Sequence, residues 1–257
     1  MQKIIIGFFL LLSNHAYGCE QLSAADSDFP ESISTAASTT GITEAWYDAG
    51  SGRYQHGVLG DAIEPSALRI RDQSNCVLSE ELDYDHVFED IETRLANIDG
   101  QPGAEVITIR SHKNKGAQIA VYGLSEDKGL HLLASTPYIG TSNRWLAPVG
   151  IADFNNDGDM DIAFVDRPHL AKTLRVWSYR NGELEQIASE AGHSNHRIGE
   201  DFISGGINTC TDTVSMITAD AYWRRVLKTT LVDGQLVSED IGPFENTESL
   251  SAATRCQ

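Results

Sequence analysis

Turn signals recur along this chain at a nearly constant interval, and this interval constrains the fold more than any other feature of the sequence. They lie at Ser74, Lys128, Asn181 and Asp233, which are 54, 53 and 52 residues apart. Each lies between two apolar runs, and Asn181-Gly182 and Asp233-Gly234 favour tight β-hairpins because their residues accept positive φ. A period of this kind predicts an array of similar units that bury their apolar faces against one another.

Each unit contains segments with strand character. One strand is predicted ahead of a loop at residues 42–47, 93–98, 147–154 and 202–207, and the next after it at residues 56–61, 105–110, 161–166 and 215–220. The residues ending this second set, Asp61, Arg110, Asp166 and Asp220, are 49, 56 and 54 residues apart. With the two strands of each hairpin, a unit has four strands, and four-stranded sheets repeated around an axis form a β-propeller. The sequence therefore predicts an all-β fold, a small propeller of four four-stranded blades, with five blades as the alternative.

Residues 153–161 place side-chain oxygens at alternate positions and end on a further carboxylate. A calcium ion takes six to eight oxygen ligands at roughly 2.3–2.6 Å, and a tightly curled loop brings alternate residues to one point. Gly158 allows the curl. We expect the side chains of Asp153, Asn155, Asp157 and Asp161, and the main-chain carbonyl of Asp159, to bind Ca²⁺.

The loop begins like an EF-hand, but the twelfth position, which needs a bidentate glutamate, is Phe164. The apolar run at residues 162–165 predicts a buried strand instead of a helix. A loop of this composition opening onto a strand resembles the calcium loop of FG-GAP or VCBS-type repeats, the blades of integrin-like β-propellers. The resemblance implies a calcium-stabilised module that binds protein or glycan. The alternative is an acidic surface turn without metal.

The other units are aligned with this loop by the same repeat. The second unit offers Asn97, Asp99, Gln101 and Glu105, a weaker ligand set with Pro102 in place of the glycine. The first unit offers Asp48, Gly50, Gly52 and His56, and the fourth offers Ile207, Thr209, Thr211 and Ser215. Neither of these last two sets supplies enough side-chain oxygens, so we expect one well-formed site.

The N-terminus has the three-part layout of a secretory signal, with Lys3, an apolar run at residues 4–12 and an Ala16-Tyr17-Gly18 ending. We expect residues 1–18 to be a signal peptide, residues 19–40 a flexible leader rich in Ser, Thr and Ala, and residues 41–257 a single propeller domain. The apolar run is too short for a membrane span. Cleavage after Gly18 would leave Cys19 first, so a lipid anchor at Cys19 is a less favoured alternative. The expected location is periplasmic or extracellular.

Four cysteines follow the signal, and an even number in an exported chain predicts two disulfides. Three pairings exist. Because the two ends of a closed ring meet, the favoured pairing is Cys19 with Cys256 and Cys76 with Cys210.

Removing residues 1–18 removes one positive charge, at Lys3, and takes the net charge from −18 to −19. A surface this acidic repels phosphate backbones, so we exclude nucleic acid as a partner.

A second set of polar residues follows the predicted strand ends or precedes the next unit. If equivalent positions converge, they ring the mouth of the central channel as candidate ligand-binding residues: Arg144, Trp145, Asp166, Arg167, His169, His196 and Arg197. Arginine with an aromatic ring suits an anionic or sugar ligand, although ion pairing within the fold accounts for the same residues. No sequence motif indicates a catalytic nucleophile. The alternative function is a small exported enzyme that acts on an anionic substrate and uses His169 as its base.

Overall fold

The protein is an all-β molecule in a computed structural model that describes residues 19–60, 62–125 and 127–255. Its strands form four antiparallel sheets of four or five strands, and the described part contains one α-helix, α1 (Thr247–Thr254). The expectation of an all-β fold is thus confirmed. The predicted signal peptide, residues 1–18, lies outside the described residues.

The sheets follow one another in chain order, and each is an antiparallel meander in which the last three strands pair in chain order. Sheet 1 contains β1 (Ser34–Thr35), β2 (Ile42–Ser51), β3 (Glu64–Asp72) and β4 (Val77–Glu81). Sheet 2 contains β5 (His86–Phe88), β6 (Arg94–Ala96), β7 (Glu105–His112), β8 (Gly116–Ser125) and β9 (Gly129–Ser135).

Sheet 3 contains β10 (Leu146–Ala152), β11 (Asp161–Asp166), β12 (Thr173–Arg180) and β13 (Glu183–Ala191). Sheet 4 contains β14 (His193–Ser194), β15 (Gly206–Asn208), β16 (Ser215–Asp220), β17 (Arg225–Val232) and β18 (Gln235–Pro243). Sheets 2 and 4 have five strands because their first strand is broken into two short pieces, which both pair with the next strand.

The predicted hairpin turns join the last two strands of each sheet. Asn181 and Gly182, between β12 and β13, have φ of 51° and 84°, and Asp233 and Gly234, between β17 and β18, have φ of 49° and 74°. Both dipeptides adopt the left-handed conformation that two-residue hairpins require. The turns after β3 and β8 lie at the predicted positions as well, so turn chemistry identified the last hairpin of every sheet.

Adjacent sheets pack face to face, because successive residues of their central strands point to opposite faces. In β11, Ile162 and Phe164 join the apolar cluster shared with sheet 2, whereas Ala163 and Val165 join the cluster shared with sheet 4. This is the alternation expected of a strand buried on both faces. A further cluster, around Tyr47 and Phe88, joins sheets 1 and 2.

The outer faces of the first and last sheets are covered by the segment ahead of β2 and by helix α1. On sheet 1, Trp46 and Val77 pack with Ala24 and Ile33. On sheet 4, Leu250 of α1 packs with Ile217, Ala219 and Val226. Within the described residues, no apolar cluster joins strands of sheet 1 to strands of sheet 4.

The first unit was misaligned by one strand in the sequence analysis. Residues 56–60 form no strand, and Asp61 lies outside the described residues. Residues 56–60 belong to the long connection between β2 and β3, which we call the 52–63 loop and in which residue 61 is not described. Arg53 anchors it by donating hydrogen bonds to the carbonyl of His86, and Val58 packs into the cluster between sheets 2 and 3. The strand expected at residues 42–47 is β2 itself, which occupies the place of β7, β11 and β16.

The expected leader, residues 19–40, is also built into the fold. It contributes two 3₁₀ turns, Ala24–Asp26 and Pro30–Ser32, and strand β1, which pairs with β2. The Ser32 hydroxyl accepts a hydrogen bond of 2.9 Å from the backbone N–H of Tyr47. The low apolar content of the segment was misleading because backbone pairing and small buried side chains hold it.

The disulfide prediction was wrong: Cys19 is bonded to Cys76, not to Cys256. Glu20 pairs with Val77 at the edge of sheet 1, which brings the start of the described chain beside Cys76. Cys210 is also disulfide-bonded, and Cys256 lies outside the described residues. The Cys19 sulfur is therefore committed to a bond that excludes a lipid on the same atom. In the parts of the chain that the structure describes, no helix has the length and apolar character needed to cross a membrane.

Candidate functional site

The acidic loop at residues 153–161 connects β10 to β11 and is curled by its own hydrogen bonds. The carboxylate of Asp153 accepts hydrogen bonds from the backbone N–H groups of Asp157 and Gly158, at 3.1 and 2.9 Å. Asp157 in turn accepts one from the N–H of Asp159 at 3.0 Å. Gly158 has φ of 94°, which confirms that the curl uses a conformation that favours glycine.

Asp161 closes the loop from the first position of β11 and is fully buried. Its Oδ2 accepts a hydrogen bond of 3.0 Å from the N–H of Phe154, whereas its Oδ1 makes no hydrogen bond of normal geometry and has the Ser178 hydroxyl, on the facing strand, as a weak partner. Burial raises the pKa of Asp161 to about 6; the hydrogen bonds from Ser178 and Phe154 act against the rise, and the charges of Asp157 and Asp153 add to it. A buried carboxylate oxygen without a partner is costly, and a bound cation would satisfy it.

The guanidinium group of an arginine side chain already contacts two carboxylates of the loop. Arg180, at the end of β12, donates to Asp157 and, from Nε at 2.7 Å, to Asp159. Asn155 also donates from Nδ2 to Asp157 at 2.8 Å. Among the described residues, no three His, Cys, Asp or Glu side chains converge as a metal-binding group.

The donor set nevertheless fits calcium. Four side chains offer oxygens, the closing carboxylate has an unsatisfied oxygen, and Asp159 can use its main-chain carbonyl while its side chain keeps Arg180. Calcium binding requires Asp157 to exchange its contacts with Arg180 and Asn155 for the ion. In this site the ion would link the loop to the start of β11.

The loop at residues 97–105 of sheet 2 has the same length and the same closing contact. Ile98 N–H donates to Glu105 at 2.8 Å, as Phe154 N–H donates to Asp161, and Gly100 and Asn156 both have positive φ. Burial raises the pKa of Glu105, as it does that of Asp161. The sequence repeat therefore aligned these two loops in the register that the structure shows. The set Asp48, Gly50, Gly52 and His56 was misplaced with the first unit, since the loop ahead of β2 is residues 36–41.

The second candidate site is a cleft of about 200 Å³ formed by loops that belong to or follow each of the four sheets. Its residues come from the 52–63 loop and from the loops that follow β9, β11 and β14. They are His56, Val58, Asn143, Arg144, Trp145, Arg167, Pro168, His169, Leu170 and Ile198. We call it the histidine cleft. The loop after β11 lies at the other end of that strand from Asp161, about 17 Å along it, so the two sites are separate.

His56 is held in the histidine cleft by a carboxylate beneath it. Glu89 is fully buried, and its carboxylate contacts His56 Nδ1 on one oxygen and accepts a hydrogen bond of 2.5 Å from Ser111 on the other. Burial raises the pKa of Glu89, and the contacts with His56 and Ser111 act against that rise. With His56 Nδ1–H donating to Glu89, its Nε2 is left for the cleft, and no described group pairs with it.

His169 and His196 form a hydrogen-bonded chain on the opposite wall. His196 Nε2–H donates to the carbonyl of Glu200 at 2.9 Å, so its Nδ1 accepts from His169 Nε2–H at 2.9 Å. Burial, and next the neighbouring His196, lower the pKa of His169 to about 4. Both imidazoles are thus neutral at neutral pH. Because the proton of His169 is on Nε2, its Nδ1 is a free hydrogen-bond acceptor.

The remaining predicted residues divide between this cleft and other contacts. Arg144 and Trp145 line the cleft, and Trp145 also donates from Nε1 to the Glu89 carbonyl at 2.7 Å. Asp166 is held between Arg167 and Arg175 by ion pairs of 2.7 and 3.0 Å. Arg197 does not line the cleft; it pairs with Glu200 and lies over the ring of Trp223.

Sequence reasoning missed Glu89 and Ser111, and it assigned His56 to the aligned loop of the first unit instead of to this cleft. His56 and Glu89 are 33 residues apart, and they meet only because the 52–63 loop crosses to sheet 2. No local pattern in the sequence indicates that contact. No protein-family model matches this chain, and no curated protein sequence matches it, so the functional argument depends on these two sites.

Proposed function

We propose that this chain is an exported, calcium-binding interaction module of the FG-GAP/VCBS propeller type, which recognises a protein or glycan. The four sheets serve as its blades, and the loop at residues 153–161 holds one calcium ion. The observation that carries the proposal is the fully buried carboxylate of Asp161 at the closing position of an oxygen-rich loop, whose Oδ1 makes no hydrogen bond of normal geometry.

The blade arrangement is supported by the common plan of the four sheets. Each is an antiparallel meander in chain order, ending in a hairpin at the same place in the unit, and consecutive sheets pack face to face. The loops of sheets 2 and 3 share their length and their closing hydrogen bond. Because α1 and the N-terminal segment cover the outer faces of sheets 4 and 1, we propose an incompletely closed ring.

Export is supported by the cysteine chemistry and the N-terminal sequence. A disulfide joins Cys19 to Cys76 immediately after the predicted cleavage site, and disulfides persist in oxidising compartments. Calcium is also abundant there, where modules of this kind bind it at roughly 10⁻⁴–10⁻³ M.

The geometry supports binding better than the alternative, an enzyme that uses His169 as base on an anionic substrate. A histidine with a pKa of about 4 is a weak proton acceptor near neutral pH, and its Nε2 is bonded to His196. Turnover that is lost in His169→Ala without loss of folding would favour the enzyme instead.

The calcium site is tested by thermal unfolding of the mature protein in calcium and in chelator. A ligand that binds only the folded state raises its stability by RT ln(1 + [L]/Kd), about 2.7 kcal/mol at a hundredfold excess over Kd. We expect calcium to raise the Tm of the wild type and to leave the Tm of Asp157→Ala unchanged.

The matched control is Asp212→Ala, an exposed aspartate in the loop between β15 and β16 of sheet 4. This variant should keep the full response to calcium. An identical melting curve of the wild type in calcium and chelator would refute the calcium site, whatever ligand the module binds.

A further inference from the structure

The histidine cleft differs in charge from the rest of the molecule. The chain carries 37 Asp and Glu against 19 Lys and Arg, yet no acidic residue is among the described residues that line the cleft. The two carboxylates behind it are both engaged, Glu89 with His56 and Ser111, and Asp166 with Arg167 and Arg175. An anion in this cleft therefore meets no acidic side chain among the residues that line it.

Arg144 supplies the positive charge. Its Nη1 donates to the carbonyl of Asn143 at 2.7 Å, and within the described chain it has no carboxylate partner. The neighbouring Arg167 is held by Asp166, which it shares with Arg175, and His169 is uncharged at neutral pH. Asn143 and Arg167 have φ of 53° and 48°, and such conformations of non-glycine residues cluster at ligand sites.

The rest of the cleft is apolar and small. Leu170 and Ile198 flank its opening with 63% and 75% of their surfaces exposed, and Val58 and Trp145 are buried in its wall. Pockets for drug-sized molecules have volumes of roughly 300–1,000 Å³, so a cleft of about 200 Å³ suits a smaller molecule. An occupant that satisfies both surfaces has one anionic group and a short apolar arm.

We propose that the histidine cleft binds a small carboxylate with an apolar arm, whose carboxylate is bound by Arg144 and whose position is fixed by His56. Arginine suits this group because its planar fork binds a carboxylate through two parallel hydrogen bonds. Glu89 orients His56 so that Nε2 faces the ligand, and Leu170 and Ile198 cover the apolar arm. This inference rests on the proposed binding function and names its ligand class, but it does not depend on the calcium loop.

The test uses phenylacetate, benzoate and hexanoate as probes, with the alcohols of the same carbon frames as uncharged counterparts. Binding to the full mature protein is followed by NMR, through the ring signals of His56, and by calorimetry, each in calcium and in chelator. We expect one saturable site for a carboxylate probe, weaker or no binding of its alcohol, and shifted His56 signals.

Two variants test the assignment to Arg144. Arg144→Gln should weaken binding of the carboxylate by about tenfold or more, because a hydrogen-bonded charge is lost. Leu170→Asp should weaken it as well by placing a negative charge at the opening, on a side chain exposed enough to leave folding intact. Arg225→Gln, which removes an exposed arginine paired with Asp240 on sheet 4, should bind like the wild type.

The proposal is overturned if no carboxylate probe saturates a site, if alcohols bind as well as carboxylates, or if Arg144→Gln binds like the wild type. A calcium response without carboxylate binding would leave the proposed module standing and remove its ligand assignment. Carboxylate binding without a calcium response would support the ligand assignment and refute the calcium site.

Discussion

At the scale of single residues, each candidate site contains a buried carboxylate, and the two carboxylates differ in the hydrogen-bond partners of their oxygens. Glu89 has a partner on each oxygen, so it can hold His56 in a fixed orientation. Asp161 has a partner on Oδ2 but no hydrogen bond of normal geometry on Oδ1, and its burial raises its pKa to about 6. The first arrangement positions a side chain, whereas the second is the one that the proposed calcium ion would complete.

Arg180 should set the calcium affinity of the loop. It contacts Asp157 and Asp159, so an incoming ion meets a positive charge that is already in place. Removing that charge in Arg180→Gln should tighten calcium binding by about tenfold, from Coulomb's law for charges a few ångströms apart in a water-like medium. Calorimetric titration measures this, with Arg225→Gln as the control. Equal affinities for Arg180→Gln and wild type would show that Arg180 does not compete with the ion.

His169 should make the fold less stable in mild acid. Its pKa is about 4 in the folded protein against an ordinary 6.5, so its stabilising contribution is complete above pH 6.5 and is lost as the pH falls towards 4. Burial is the largest cause of the lowered pKa and His196 is the next, and His56 and Lys172 act in the same direction. The loss should be on the order of 2 kcal/mol, allowing for partial solvent screening.

Urea unfolding of wild type and His169→Gln between pH 7.5 and 4.5 measures this contribution. The variant should show a shallower decrease in the free energy of unfolding, with a remaining slope from the buried His193 and His196, whose pKa values are also lowered. Parallel curves for the two proteins would assign the acid sensitivity to other groups.

How much of the sites could be read from the sequence depends on how local their contacts are. The acidic loop was visible because all its oxygens lie within nine consecutive residues. Arg180 and the pair of His56 with Glu89 were not, because they come from separate segments that only the folded chain brings together.

At the scale of elements, the hairpin turns could be predicted, and so could the strands ahead of the loops in sheets 2, 3 and 4, where the structure has β6, β10 and β15. Turn residues are recognisable by their type, and Asn181 and Asp233 do have positive φ. Strands β1, β5 and β14 were missed because they have only 2, 3 and 2 residues, too few to show a periodicity. The 52–63 loop was mistaken for a strand because its apolar residues pack into the core without strand pairing.

Helix α1 should be required to protect the outer face of sheet 4. Leu250 is fully buried against Ile217, Ala219 and Val226, so Leu250→Ala should lower the free energy of unfolding by about 2–5 kcal/mol. Urea unfolding measures the change. The control on the same helix is Glu248→Ala, which removes an exposed ion pair with Arg255 and should cost about 0–1 kcal/mol. A Leu250→Ala protein as stable as the control would mean that the helix does not cover the sheet in solution.

At the scale of the whole molecule, four similar sheets pack in sequence, and the segment ahead of β2 and helix α1 cover the two outer faces. The expected pairing of Cys19 with Cys256 assumed that the two ends of a closed ring meet. In the structure the N-terminal segment instead runs along sheet 1, where Cys19 meets Cys76. Sequence periodicity predicts the number of sheets but says little about how the ends are covered.

The disulfide between Cys19 and Cys76 can be checked directly. Peptide mapping of the unreduced protein should recover these two cysteines in one linked pair, and a Cys76–Cys210 pair would contradict the structure. Because the bond closes a segment with a separation of 57 residues, replacing both cysteines by serine should lower the free energy of unfolding by about 4 kcal/mol.

The central claim, that a calcium ion completes the loop between β10 and β11, is tested most directly by calorimetric titration of calcium into the chelator-treated mature protein. We predict one bound calcium ion per chain in the wild type, and no binding when Asp157 is replaced by alanine. A wild-type titration without binding heat at any temperature, or a Asp157→Ala titration that matches the wild type, would contradict it.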